Sequence, residues 1–167
     1  MFHPNNLGSN IDNVAQEIGK ALSTAPQPEG APSLSFIARH SIKADYDEPI
    51  IKLLEKARKA LHNPKFEFDP GFNELGVMLK NGKDVRDDWE SNLGSFAVSY
   101  IESFVDKLER ENFEQDDLLR EGFKESVPKG VLKLRLAEKL SSGYNEILLD
   151  DGAIVIQVSA CLWFFSD

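Results

Sequence analysis

The stretch 131–158, VLKLRLAEKLSSGYNEILLDDGAIVIQV, decides the fold class. Leu132, Leu134 and Leu136 alternate with Lys133 and Arg135, the period of two that marks a strand with one apolar face. Residues 144–149 predict a second strand. Asp150-Asp151-Gly152 then predicts a hairpin turn, because glycine accepts the positive φ that a tight turn demands. Ile154, Ile156 and Val158 continue the same period as a third strand.

Upstream of residue 131 the apolar spacing is mostly three and four. Trp89, Leu93, Phe96, Tyr100, Phe104 and Leu108 predict a long helix, with Ala97, Ile101 and Val105 widening its apolar face. That aromatic line is expected to be the spine of the core. Gly94 in its middle signals close packing, since glycine costs a helix ~1 kcal/mol relative to alanine. A further helix is expected over 115–126 with Leu118, Leu119 and Phe123 apolar. Asp116-Asp117 favours its N-terminus, and Pro128 and Gly130 stop it.

Earlier, Ile50, Leu54, Ala57 and Leu61 predict a helix capped by Asp45 or Asp47. Pro49 falls in its first turn and Pro64 ends it. Phe66-Glu67-Phe68 reads as extended. Asp69-Pro70 opens a short helix through Phe72, Leu75 and Leu79, closed by Asn81-Gly82. Leu34, Phe36 and Ala38, alternating with Ser35, Ile37 and Arg39, read as a further strand. Ile11, Val14, Ile18 and Leu22 form one face of an N-terminal helix capped by Ser9 or Asn10. Pro26, Pro28, Gly30 and Pro32 follow it as a semi-rigid connector. The expected architecture is a single α+β domain, 1–167. About five helices pack on a small antiparallel β-meander of three to four strands, with 1–23 a tethered helix and 24–32 a Pro-rich connector.

The 167 residues suit one domain, and 41% apolar with 28% charged residues excludes a disordered chain, a collagen and a disulfide scaffold. Nineteen Lys and Arg against 28 Asp and Glu give a net charge of −9. Such a chain is repelled by phosphate backbones, so direct nucleic-acid binding is not expected. No run reaches the ~18 apolar residues of a membrane span. The first residues lack the basic-then-apolar pattern of a secretory signal. A single cysteine, Cys161, makes no internal disulfide, and the cytoplasm is the expected compartment.

No catalytic or cofactor motif emerges. His3, His40 and His62 show no metal-ligand spacing, and His62 is placed to meet a helix C-terminal dipole. Cys161 has apolar neighbours and reads as an inert buried thiol. Asp87-Asp88, Asp116-Asp117 and Asp150-Asp151 are adjacent pairs that do not converge as general acid–base chemistry requires. Phosphate-loop and nucleophile-elbow patterns are absent. Neither a metal nor a cofactor is implied.

Charge is unevenly spread. Residues 84–126 carry 13 acidic and 5 basic side chains, net −8, whereas residues 49–65 are net +4. Lys52, Lys56 and Lys59 are therefore candidate binding residues for an acidic helix, and association through them would weaken with salt. At the C-terminus, Cys161, Trp163 and Phe165 fall on one face beyond Gln157 and Ser159, a solvent face that turns apolar at its end. They are the second set of candidate binding residues. The expected function is a non-catalytic, acidic interaction module that binds a protein partner or a second copy of itself, a homodimer included. The alternative is an enzyme or small-molecule binder. Its pocket would lie between the long helix and the sheet, lined by Trp89, Phe96, Tyr100, Phe104, Leu134 and Ile156.

Overall fold

The computed structural model describes residues 34–82, 85–137, 140–141 and 145–159, all within one compact unit, Pro32–Asp167. The expected N-terminal helix, its Pro-rich connector and the C-terminal aromatic run lie outside the described residues.

The chain is α+β, and the described residues form four helices and a four-stranded mixed sheet. Helix α1 is one continuous helical run in three segments: Phe36–Ser41, a π-helical turn at Ile42–Tyr46, and Asp47–Ala60. Strand β1 (Glu67–Asp69) and helices α2 (Phe72–Asn81), α3 (Trp89–Arg110) and α4 (Asp117–Ser126) follow. Strands β2 (Val131–Ala137), β3 (Asn145–Asp150) and β4 (Ala153–Ser159) complete the order.

The start of α1 corrects the strand expected over 34–38. Ser35 caps a helix there, its Oγ accepting the Ala38 N–H at 3.1 Å. Ala38 and Ser41, three residues apart, are buried, while Phe36 and Ile37 are exposed. The alternation at Leu34, Phe36 and Ala38 thus does not follow the burial. Neither Asp45 nor Asp47 caps the second segment, because the backbone enters it already helical. Pro49 has no N–H to return to the Asp45 carbonyl. The π-turn lies immediately before this break, with the Asp47 N–H bonded to the Ile42 carbonyl. Among the described residues there are four helices, and the fifth expected one is the N-terminal helix that lies outside them.

Helix α1 ends in a Schellman motif: the His62 N–H bonds to the Lys59 carbonyl and the Asn63 N–H to that of Arg58. His62 takes the left-handed conformation usually left to glycine, at φ 47°. Asn112 repeats this closure after α3, at φ 57°. Asp116 caps α4, its Oδ1 accepting from the Leu119 N–H at 3.0 Å.

The sheet order is β1-β2-β4-β3. β1 pairs with β2 and β2 with β4 in parallel, and only β3 with β4 is antiparallel. The antiparallel meander is thereby corrected. β4 is largely buried along its length, whereas β3 alternates exposed and half-buried residues. Placing β4 between β2 and β3 puts the apolar strand inside and the polar-rich one at the edge. The hairpin turn holds as read. Asp151 and Gly152 both have positive φ (48° and 72°), the two-residue type I′ geometry.

Leu132, Leu134 and Leu136 align with Ile154, Ile156 and Val158 on the face that the helices cover. In α3 the buried line is Leu93, Ala97, Ile101, Val105 and Leu108. Trp89, Phe96, Tyr100 and Phe104 flank it, only half-buried, so the expected aromatic spine is one side of the core rather than its axis. Small residues at the centre let α1 and α3 approach closely. The opposite sheet face is only partly open to solvent, since Val155 and Ser159 are buried on it and Gln157 is half-buried, whereas Arg135 is exposed. Among the described residues no helix is long and apolar enough to cross a membrane.

Candidate functional site

Two surface features stand out, and the first is the edge of the sheet. β3 closes the strand order, and Ile147 and Leu149 are 73% and 59% exposed. Their partners on β4, Ile156 and Ile154, lie on the helix-covered face, so both side chains point to that side but beyond the reach of its cover. The turn also fixes the backbone. Asp150 and Ala153 flank a two-residue type I′ loop and so exchange both hydrogen bonds. Alternation then turns the N–H and C=O groups of Leu148 and Glu146 toward β4, and those of Ile147 and Leu149 outward. Exposed apolar side chains and a backbone edge that no described strand pairs coincide on the same two residues. Burial raises the pKa of Tyr100 on α3, and the Asn145 side chain at the start of this strand offsets part of the rise.

The second feature is a cleft of about 610 Å³ between the turn after α1 and the face of α4. Leu61, Pro64, Phe123, Val127 and Pro128 give it an apolar lining. Phe123 also belongs to an aromatic cluster, its ring centroid 6.3 Å from Phe66 and 6.2 Å from Phe113. His62, Lys65, Arg120, Lys124 and Lys129 add positive or ionisable groups against Asp117 and Glu121. Arg120, with a side chain only 12% exposed, is held by Asp117 and by the Phe113 and Glu114 carbonyls at 2.6 Å each. Lys129 is hydrogen-bonded to Asp151, and holds that carboxylate below its ordinary range. A shallower groove of about 420 Å³ runs past Phe36, His40 and Ser91.

No protein-family model, curated protein or solved structure matches this chain. The geometry is therefore the only guide to what these features do.

The sequence-derived lysines have partners in their own chain. Lys56 meets Glu109 of α3 at 3.3 Å and Lys59 meets Glu114 at 3.0 Å. Lys52 lies 3.9 Å from Glu48, one helical turn away. The basic and acidic stretches read from the sequence thus face each other within one molecule. All three pairs are exposed and each contributes about 0–1 kcal/mol. Cys161, Trp163 and Phe165 lie outside the described residues.

The residues named for an apolar pocket between the long helix and the sheet line neither described cleft. Leu134 and Ile156 are buried in the core and Trp89, Phe96, Tyr100 and Phe104 pack against it. Among the described residues no group of three or more His, Cys, Asp and Glu is gathered to hold a metal. Ile147 and Leu149 escaped sequence reasoning because the strand over 144–149 was assigned neither a face nor a place at the edge of the sheet. The turn residues Asp151-Gly152 held the missing signal, since loop length fixes which backbone groups point outward.

Proposed function

We propose that this protein is a non-catalytic interaction module that self-associates through the free edge of β3. The observation that carries the reading is the coincidence, at Ile147 and Leu149, of exposed apolar side chains with outward-facing peptide groups. Strand addition needs both, the backbone for hydrogen bonds and alternate side chains for burial.

The occupant that fits is a second copy in antiparallel alignment, related by a two-fold axis at Ile147. In that register Ile147 faces its own counterpart and Asn145 faces Leu149. All of these residues direct their peptide groups outward, so each pair exchanges hydrogen bonds. Glu146 then lies opposite Leu148. A shift of the axis to Leu148 would set Glu146 against Asp150, and like charges directly opposite destabilise a strand pair. Sequence therefore favours one register. Pairing of two six-residue strands is at the small end of interfaces, so the dimer is weak and concentration-dependent. A lone cysteine in 167 residues fits a reducing, cytoplasmic setting for it.

Amide hydrogen exchange read at increasing protein concentration tests the reading. Ile147 and Leu149 should slow with concentration, while Glu146 and Leu148, bonded to β4 in the monomer, should not change. Exchange at Ile147 and Leu149 that is independent of concentration up to millimolar protein would rule it out.

A further inference from the structure

We infer that the cleft between α1 and α4 is a binding site for a small organic anion with an apolar or aromatic body. Its volume, about 610 Å³, is within the roughly 300–1,000 Å³ of small-ligand sites. Its lining combines two chemistries. Leu61, Pro64, Phe123, Val127 and Pro128 supply its apolar part. The charged lining comprises Lys65, Arg120, Lys124 and Lys129 against Asp117 and Glu121, a local excess of two positive charges in a chain of net −9.

The cations differ in availability. Arg120 is locked onto Asp117 and two carbonyls, and Lys129 is engaged by Asp151. Among the described residues neither Lys65 nor Lys124 has a carboxylate within ion-pair distance, although the same protein supplies carboxylates to Lys52, Lys56 and Lys59. Lys124 sits in the last turn of α4, where a cation complements the helix dipole. That accounts for Lys124 but not for Lys65, which lies in the loop after α1. Two ammonium groups without internal partners, beside an apolar surface, suit a ligand carrying carboxylate or phosphate at one end and a hydrophobic body at the other.

The cleft is also built to keep its shape. The Asn63 Oδ1 accepts the Lys65 N–H at 3.0 Å, and the Phe66 N–H returns to the Asn63 carbonyl at 3.1 Å. Across the gap, a Cβ on Gly130 would lie 2.7 Å from Asn63 Nδ2, so the two walls touch at that glycine, whose φ is +61°. The Gly130 carbonyl accepts the Glu67 N–H at 3.0 Å and joins the same two segments. A site already ordered loses less on binding.

The probe is 8-anilinonaphthalene-1-sulfonate, an aromatic anion whose fluorescence rises on leaving water. Titrated into the full chain and followed by amide chemical shifts, it should saturate one site and move resonances of 61–65 and 117–129. In the Lys65→Gln, Lys124→Gln double variant, with unchanged circular dichroism, affinity should fall at least about tenfold. Shifts centred on other residues, or an affinity unaltered by the double substitution, would overturn the assignment.

Discussion

Ser41 and Gly94 meet where α1 crosses α3. The Gly94 N–H donates to Ser41 Oγ at 3.0 Å, and a Cβ on Gly94 would lie 2.4 Å from the Ser41 carbonyl oxygen. No flexible side chain stands there to give way, because the obstacle is backbone. Helix propensity alone predicts that Gly94→Ala stabilises by ~1 kcal/mol. The crossing predicts the opposite sign, a loss of about 1–3 kcal/mol from overpacking. Urea denaturation of the variant decides between them, and a raised midpoint would show that the helices do not pack on this glycine.

Phe66 is fully buried and its ring stacks on Phe104, with centroids 5.6 Å apart and planes at 9°. Phe104 is only half-buried. Phe66→Ala should therefore cost about 3–5 kcal/mol, and Phe104→Ala clearly less, about 2 kcal/mol. Denaturation of both variants should preserve that order.

Tyr46 has its pKa pushed up to about 12 by burial, reinforced by the negative charges of Asp47 and Asp69. The unfolded phenol ionises near the ordinary value of 10, and the folded one resists. Stability is then unaffected by this group below pH 10 and declines as pH rises from 10 toward 12. Tyr46→Phe should remove that part of the decline. Alkaline unfolding of the two proteins, compared over pH 9–12, measures it, and identical profiles would contradict the assignment.

The sequence made the helical and strand periods legible, together with the Asp151-Gly152 turn and the close packing at Gly94. It did not reveal which strands are neighbours. Leu132 and Ile154 pair across a whole intervening strand, and periodicity within a segment carries no information on partners. The hint lay in composition: 153–158 is nearly all apolar, as a central strand must be, whereas 145–150 carries Glu146 and Asp150. The start of α1 misled because Leu34, Phe36 and Ala38 alternate by coincidence, while Ser35 was a cap in plain view. The cleft was not legible at all. Lys65, Lys124 and Lys129 are brought together only by the turn after α1 and the approach of Gly130 to Asn63.

Salt separates two routes to association. If Lys52, Lys56 and Lys59 met acidic helices on another molecule, salt would weaken the contact. In the structure Lys56 and Lys59 engage Glu109 and Glu114 internally. Two chains of net charge −9 that join through β3 repel one another, and salt screens that repulsion. Light scattering should show association strengthening between low and high ionic strength.

The most direct measurement is sedimentation equilibrium of the wild-type chain beside Ile147→Pro. Proline at this position removes an N–H that points away from β4, so the hairpin's own ladder keeps its bonds. The same N–H is central to the pairing of two β3 edges. The wild-type mass should rise from 18.7 kDa toward twice that value with concentration. Ile147→Pro should remain at the monomer mass with an unchanged circular dichroism spectrum. A wild-type chain that stays monomeric throughout, or an Ile147→Pro variant that associates as well as the wild type, would contradict self-association through this edge.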